Sequence, residues 1–162
     1  MTVVLPPSYE DEASLYSLAT EYLHAAAILI ETPVTKLNVS LVSYYLLGHA
    51  AELLMKSCLH NAGVPLKELK FDVGHDLEQL ATKVQEIGLH PPLALPHIVA
   101  LSTNYKTKST EYRRLKAMSF PPKDLLLQEV RALSSRVFSS VAAWPSEANT
   151  SLELQQAAEL ER

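Results

Sequence analysis

The chain has 162 residues, of which 48% are apolar and only 4 are glycine, so it can bury one substantial core. Its 14 Lys and Arg against 18 Asp and Glu leave a net charge of −4, which excludes a generally basic nucleic-acid coat but not a local basic patch. No uninterrupted apolar run approaches the roughly 20 residues of a membrane span, and the start lacks the basic residues of a signal peptide. The sequence therefore predicts a cytoplasmic protein without membrane association.

Proline and glycine residues divide the chain into helical segments, beginning with two long ones. Apolar periodicity predicts a first helix over residues 9–30, opened by a capping-box-like pair of Ser8 and Asp11. Pro33 ends it. A second helix is expected over residues 35–60, because Asn-Ala-Gly and then Pro follow it as a C-terminal signal.

The second predicted helix carries the most informative segment, residues 44–59, which read YYLLGHAAELLMKSCL. The segment is nearly all apolar except for one narrow polar stripe at spacings of four, three and four, so the helix is expected to be buried on most sides. Two interpretations remain open: internal pairing of Glu52 with Lys56 and His49, or contact with a ligand in a cleft. The stripe consists of Tyr45, His49, Glu52 and Lys56.

The single cysteine, Cys58, lies in the same segment. It excludes an intramolecular disulfide, and a thiolate zinc site would lack ligands. A buried structural thiol is the expected role. We expect no metal and no other cofactor.

The second half of the chain reads as a loop through Phe71 followed by three further helices. Asp76 is expected to cap the first of them, and the side chain of Gln79 is expected to bond back to the backbone N–H of Asp76. No alternating strand pattern of useful length is present. The predicted helices cover residues 74–88, 98–117 with a possible break near Ser109, and 124–143.

These elements predict an all-α fold, an antiparallel up-and-down bundle of four to five helices. Residues 8–144 would form one domain. Residues 1–7 and 145–162 would be termini that are partly flexible or form a short helix.

A basic segment, residues 105–116, stands out on an acidic chain because five Lys and Arg face one Glu there. If the segment is helical, Tyr105 and Tyr112 share a face with Ser109 between them, an arrangement suited to stacking bases beside phosphate-binding cations. The alternative is a solvated helix face whose tyrosines are half-buried and whose arginines pair with acids.

A third polar feature is Gly74-His75-Asp76-Leu77 at the predicted start of a helix. A cap by Asp76 is a sufficient explanation. The alternative is that His75 and free N–H groups of the helix N-terminus help to hold an anion.

The order of these pieces resembles the HEPN superfamily, helical bundles associated with nucleotides and RNA. The resemblance covers almost the whole domain. Its pieces are Gly48-His49-Ala-Ala-Glu52-Leu-Leu-Met-Lys56, then Gly74-His75-Asp76-Leu77, then Tyr105 followed by Tyr112-Arg113.

The resemblance implies a HEPN-like bundle, commonly dimeric and often encoded in prokaryotes beside a nucleotidyltransferase in toxin–antitoxin or defence systems. Many such proteins are metal-independent RNases that use an Arg followed four to six residues later by a His. Here every arginine follows the last histidine, His97, so this motif is absent. The standard RNase route is therefore not expected, and no catalytic residue is assigned.

We expect a noncatalytic domain that binds a nucleotide, single-stranded RNA or a nucleotidyltransferase-type partner protein, as a homodimer. Two alternatives stay open: an RNase or nucleotide-modifying enzyme with an atypical His/Glu site, and a helical dimerisation scaffold. The resemblance suggests phosphate contacts for Lys106 and Arg113, base or ribose contacts for a tyrosine, and an orienting role for Glu52. The candidate binding residues are His49, Glu52, Lys56, His75, Tyr105, Lys106, Tyr112 and Arg113.

Overall fold

The structure, a computed structural model, describes residues 11–32, 40–111 and 117–142. Within these ranges every regular element is helical, which confirms the predicted all-α bundle. Two π-helical turns, Leu69–Val73 and Val84–Gly88, directly continue α3 and α4. The helices are α1 Glu12–Glu31, α2 Ser40–Asn61, α3 Leu66–Glu68, α4 Leu77–Lys83, α5 Pro96–Lys106 and α6 Lys123–Ala142.

The central helix is α2, which packs against α1, α4, α5 and α6. All of its residues from 50 to 59 are buried, including the charged Glu52 and Lys56. A helix buried on all sides has no broad polar face, as its apolar sequence predicts. Glu52 and Lys56 of the polar stripe therefore lie inside the bundle, while Tyr45 and His49 are half-buried.

Helix α1 begins later than predicted. Asp11 is its N-cap: the carboxylate accepts from the N–H of Ser14, and the Ser14 hydroxyl accepts from the N–H of Asp11. Asp11, which the prediction places inside the helix, has the extended backbone of a cap residue, while Ser8 and the predicted start at residue 9 lie outside the described residues.

By length and composition alone, α1 is long and apolar enough to cross a membrane, the one such helix in the described ranges. It lies against α2 and α6 and buries its small side chains, Ala19, Ala26 and Ala27, in the core. The cytoplasmic location stays a prediction.

One further segment differs from the sequence expectations. The predicted loop through Phe71 is helical, formed by α3 and its π-helical turn. The possible break near Ser109 is confirmed: helix α5 ends at Lys106 and turns follow over residues 107–111, because Lys108 has a left-handed backbone (φ 58°) that an α-helix cannot contain. Asp76 caps α4 as predicted, and the following π-helical turn ends at Gly88.

Some boundaries cannot be compared. The predicted start of the second helix at residue 35 and the tail from residue 147 lie outside the described residues.

The start of α5 is held by a carboxylate from another helix. Glu129 of α6 accepts from the backbone N–H groups of His97 and Ile98 at 3.1 and 2.8 Å, and from Nδ1 of His97 at 2.7 Å. These bonds satisfy N–H groups that α5 leaves open at its first turn. The other end of α5 thereby lies against α2, where Tyr105 meets the polar stripe.

Candidate functional site

A buried carboxylate, Glu52 of α2, gathers side chains from three parts of the chain. Its Oε1 accepts from Nζ of Lys56 at 2.6 Å. Its Oε2 accepts from the Tyr105 hydroxyl at 2.6 Å and from Nδ1 of His75 at 2.9 Å. The Glu52–Lys56 pairing expected from the sequence is thus present, and two more distant groups join it.

These partners keep Glu52 ionised inside the bundle. Burial alone would raise the pKa of this carboxyl, but the charge of Lys56 and the hydrogen bonds from His75, Lys56 and Tyr105 outweigh burial and hold the pKa below its ordinary value. Glu52 is therefore a carboxylate at neutral pH and can only accept hydrogen bonds.

His49 reaches the carboxylate indirectly. Its Nδ1 lies 2.9 Å from the Tyr105 oxygen but 3.8 Å from Oε2 of Glu52. The direct His49–Glu52 hydrogen bond expected from their spacing is therefore wrong, because the Tyr105 hydroxyl lies between the two groups. Aromatic rings surround the imidazole: Tyr45 stacks on it with centroids 5.9 Å apart, and Tyr22 meets it edge-on at 4.4 Å.

The surroundings of His49 favour its neutral form. Burial lowers the pKa of the imidazole, and the nearby charge of Glu52 only partly opposes this effect.

Tyr105 is a buried member of the core, with 6% of its surface exposed. Its ring lies against Gly48, and burial together with the charge of Glu52 raises the pKa of its hydroxyl far above the ordinary value. A ring packed this way has little free face to stack on a base. A stacking role for Tyr105 therefore does not fit the burial of its ring. Its hydroxyl, which contacts Glu52 and His49, is the part that can affect the chemistry of the site.

An open cleft of about 60 Å³ lies over this network, and we call it the α2–α5 cleft. A water molecule needs about 10–15 Å³ of such space, so the cleft is large enough for a few water molecules or for one small group of a ligand. A ligand as large as a nucleotide would leave most of its surface outside. The cleft is lined by Tyr45, His49, His75, Tyr105, Lys106, Lys108 and Glu111.

Lys106 lies on the rim of the cleft and is tied to Asp76. Its Nζ lies 2.6 Å from Oδ2 of Asp76, although 61% of the lysine side chain is exposed. The hydrogen bond from Lys106 is the main cause that lowers the pKa of Asp76. A phosphate at Lys106 would have to compete with this carboxylate.

The start of α4 offers less to an anion than the sequence suggests. The N–H of Gln79 donates to Asp76 and the N–H of Glu78 donates to the Ser102 hydroxyl. These two N–H groups are already bonded within the protein, so neither is free to donate to an anion. The alternative interpretation of this helix start as an anion site therefore does not hold for these two groups. His75 instead contributes through its ring, which donates to Glu52.

Four of the predicted site residues meet at one point, namely His49, Glu52, His75 and Tyr105, while Lys56 pairs beneath them and Lys106 lies at the rim. Tyr112 and Arg113 lie outside the described residues.

Sequence reasoning did not assign a site role to Lys108 or Glu111, which line the cleft, or to Ser102. The basic composition of residues 105–116 signalled Lys108. The position of Glu111 depends on the turn after α5, and no local pattern reveals it.

No group of three or more His, Cys, Asp or Glu side chains suited to a metal ion occurs in the described part of the chain. No family model, curated protein or solved structure matches the chain.

Proposed function

We propose that this protein is a noncatalytic HEPN-like domain that binds a phosphate-bearing ligand, a nucleotide or single-stranded RNA, at the α2–α5 cleft. One observation carries the proposal. Residues from three segments that carry much of the resemblance come together around the carboxylate of Glu52. Lys56 on α2, His75 before α4 and Tyr105 on α5 bond to it directly, and His49 on α2 joins through the Tyr105 hydroxyl. A buried polar cluster that opens into a cleft is typical of binding sites.

The charges at the rim support an anionic ligand. Lys106 and Lys108 are each 61% exposed, and both line the cleft. Lys108 lies 4.0 Å from Glu111, which is too long for a strong hydrogen bond. Exposed pairs of this kind are held weakly, so a phosphate can take over either lysine.

The size of the cleft limits how the ligand is held. With about 60 Å³ available, one phosphate or one sugar edge can enter while the rest of the ligand lies along the surface. The remaining cations of the basic segment, Arg113, Arg114 and Lys116, follow directly in sequence. We therefore expect single-stranded RNA to gain affinity over a single nucleotide by contacting them.

The test is fluorescence anisotropy of a labelled single-stranded RNA titrated with protein at two salt concentrations, with the same samples run on a denaturing gel. The proposal expects salt-sensitive binding of RNA that stays intact. The Lys106→Ala variant should bind more weakly and reduce the slope of log affinity against log salt by roughly 0.7, the value for one lost contact to a single strand.

A matched control is Lys67→Ala, which removes an exposed lysine of α3 that does not line the cleft. It should leave the affinity and the salt slope nearly unchanged. Equal losses in both variants would mean that the RNA senses only net charge, and the cleft would not be its site.

A second candidate function is general acid–base catalysis, because two imidazoles, His49 and His75, line the same cleft and both connect to Glu52. Such a pair can take up and deliver protons at a phosphate ester. RNA cleavage that survives a metal chelator and disappears in His49→Ala would favour the enzyme over the binding domain. Intact RNA with wild-type protein would count against it.

A protein partner is part of the same proposal. Several large apolar side chains on the outer faces of α1 and α6 are exposed, including Leu18 at 42%, Ile28 at 50% and Phe138 at 55%. Such residues support a homodimer or contact with a nucleotidyltransferase-type protein of a toxin–antitoxin or defence system. Sedimentation of a monomer at high micromolar concentration would contradict the homodimer, whereas a strong dimer that binds no RNA or nucleotide would favour the scaffold.

A further inference from the structure

The hydroxyl hydrogen of Tyr105 determines which groups donate and which accept in the buried network. Its single hydroxyl hydrogen has two candidate acceptors, Oε2 of Glu52 at 2.6 Å and Nδ1 of His49 at 2.9 Å. Glu52 is ionised and has no hydrogen to give, so a contact of 2.6 Å to a second oxygen is stable only if the tyrosine donates. The hydroxyl hydrogen is therefore used on Glu52.

This assignment leaves only one role for His49. The Tyr105 oxygen can still accept, and the contact to Nδ1 at 2.9 Å is a hydrogen bond only if Nδ1 carries a hydrogen. The neutral imidazole then has its hydrogen on Nδ1 and a free electron pair on Nε2. Nε2 has no hydrogen-bond partner among the described residues, and His49 lines the cleft with 22% of its side chain exposed.

We propose that Tyr105 is a positioning residue: its hydroxyl, bonded to Glu52, fixes His49 in the Nδ1–H tautomer, so that Nε2 accepts a hydrogen bond from the ligand in the α2–α5 cleft. The inference rests on the proposed function for the identity of the ligand but not for the state of His49. The lining of the cleft then differs from group to group in what it binds, with cations at Lys106 and Lys108 and a neutral hydrogen-bond acceptor at His49 in addition to the carboxylate of Glu111.

The class of ligand follows from this difference. A fully ionised phosphate or a phosphodiester suits the lysines but has no hydrogen to donate to Nε2, whereas a phosphate ester with a neighbouring hydroxyl suits the lysines and Nε2 together. The sugar hydroxyl of a ribonucleotide is such a donor, and DNA lacks the 2′-hydroxyl. The cleft is therefore selective for ribonucleotide over deoxyribonucleotide ligands, and the selection depends on Tyr105.

The first experiment measures the histidine tautomers directly, by long-range ¹H–¹⁵N correlation NMR of the uniformly labelled full chain near neutral pH. Wild-type His49 should show its proton on Nδ1. Tyr105→Phe keeps the ring that packs on Gly48 but removes the acceptor, so His49 should lose the Nδ1–H form and shift toward Nε2–H.

Two other histidines serve as controls in the same spectra. Nδ1 of His75 lies 2.9 Å from Glu52, and Nδ1 of His60 lies 3.0 Å from the carbonyl oxygen of Val64. Oε2 of Glu52 also accepts from the tyrosine hydroxyl, but Glu52 and the Val64 carbonyl both remain as acceptors when that hydroxyl is removed. Both rings should therefore keep the Nδ1–H form in Tyr105→Phe. A change confined to His49 is a signature that a general loss of packing does not produce.

The second experiment measures the affinity of a five-nucleotide RNA containing only A and C against the DNA of the same sequence. The wild type should prefer the RNA by roughly twofold to tenfold, the range for one neutral hydrogen bond. Tyr105→Phe should lose this preference while retaining the contribution of Lys106.

The outcomes separate the inference from the proposed function. Nε2–H at His49 in the wild type, or an unchanged Nδ1–H form in Tyr105→Phe, would overturn the positioning role whether or not RNA binds. Equal affinity for RNA and DNA would overturn the selection. Binding of neither strand at low salt would refute the proposed function, and the wild-type spectrum would still decide the tautomer.

Discussion

The ring of Tyr105 lies so close to Gly48 that a Cβ atom added there would come within 2.5 Å of Cδ2 of the tyrosine. Only a residue without a side chain lets α5 approach α2 at this point. The contact sets the depth at which the tyrosine hydroxyl reaches Glu52 and His49.

Replacing this glycine should therefore destabilise the protein although alanine is the better helix former. We expect Gly48→Ala to lower the free energy of unfolding by up to about 2 kcal/mol, because overpacking costs about 1–3 kcal/mol and the better helix propensity of alanine returns up to about 1 kcal/mol. Urea unfolding followed by circular dichroism measures the change.

A double-mutant cycle tests the cause. In a Tyr105→Ala background the ring is gone, so Gly48→Ala should be neutral or stabilising there. An equal loss of stability in both backgrounds would mean that the clash with Tyr105 is not responsible.

The charge of Glu52 predicts a pH dependence of stability. Its pKa in the folded protein lies below the ordinary value of about 4.3, so the unfolded chain binds its proton first as the pH falls. The stabilisation is complete above the ordinary pKa and is lost as the pH falls through the folded pKa. Glu52→Gln should lack this part of the acid dependence.

The same variant should be much less stable at neutral pH. Removing the carboxylate leaves the buried Lys56 without its counter-ion, and breaking a buried pair typically costs about 3–5 kcal/mol. Unfolding curves from neutral to acidic pH measure both effects. The control Glu68→Gln breaks a surface pair with Lys83 and should change little; a similar loss there would contradict the special role of the buried pair.

Lys106 should bind phosphate better once Asp76 is neutral. Asp76→Asn removes the partner charge at 2.6 Å, while asparagine caps α4 nearly as well as aspartate. If RNA binds at the α2–α5 cleft, its affinity should rise roughly twofold to fivefold, in line with the energy of an exposed ion pair.

The matched control is Asp72→Asn, which changes the net charge by the same amount at an exposed position that does not line the cleft. An equal rise in affinity would show a general charge effect, and the local competition at Lys106 would be ruled out. Anisotropy titrations at one salt concentration suffice for the comparison.

The thiol of Cys58 should report unfolding. It is 1% exposed, its Sγ lies 3.2 Å from the Gly88 carbonyl oxygen, and burial raises its pKa to about 11. A thiol-specific reagent near neutral pH should therefore react only as the protein opens, and fully in urea. Rapid stoichiometric reaction of the folded protein would contradict this environment.

Much of the helical framework was predictable because its signals are local. The stripe of His49, Glu52 and Lys56 follows from spacings of three and four residues along one helix, and the cap by Asp76 from the residues that follow it. The resulting Glu52–Lys56 pair was correctly predicted for the same reason.

Local signals failed where the chain leaves regular geometry. A possible break near Ser109 was predicted within residues 98–117, but the end of α5 at Lys106 depends on the left-handed conformation of Lys108, which propensity does not encode. The segment through Phe71 lacks a long apolar period, and its short helix and π-helical turn depend on burial of Leu69 and Val73.

Residue spacing alone thus placed the ionisable groups on α2 and predicted that their helix would be buried. Only the tertiary structure brings Tyr105 to them from 53 and 56 positions away, and with it the hydroxyl that separates His49 from Glu52. Contacts within a helix follow from its period, whereas contacts between helices depend on how closely the backbones pack. In this protein Gly48 decides that distance, and the chemical character of the cleft follows from it.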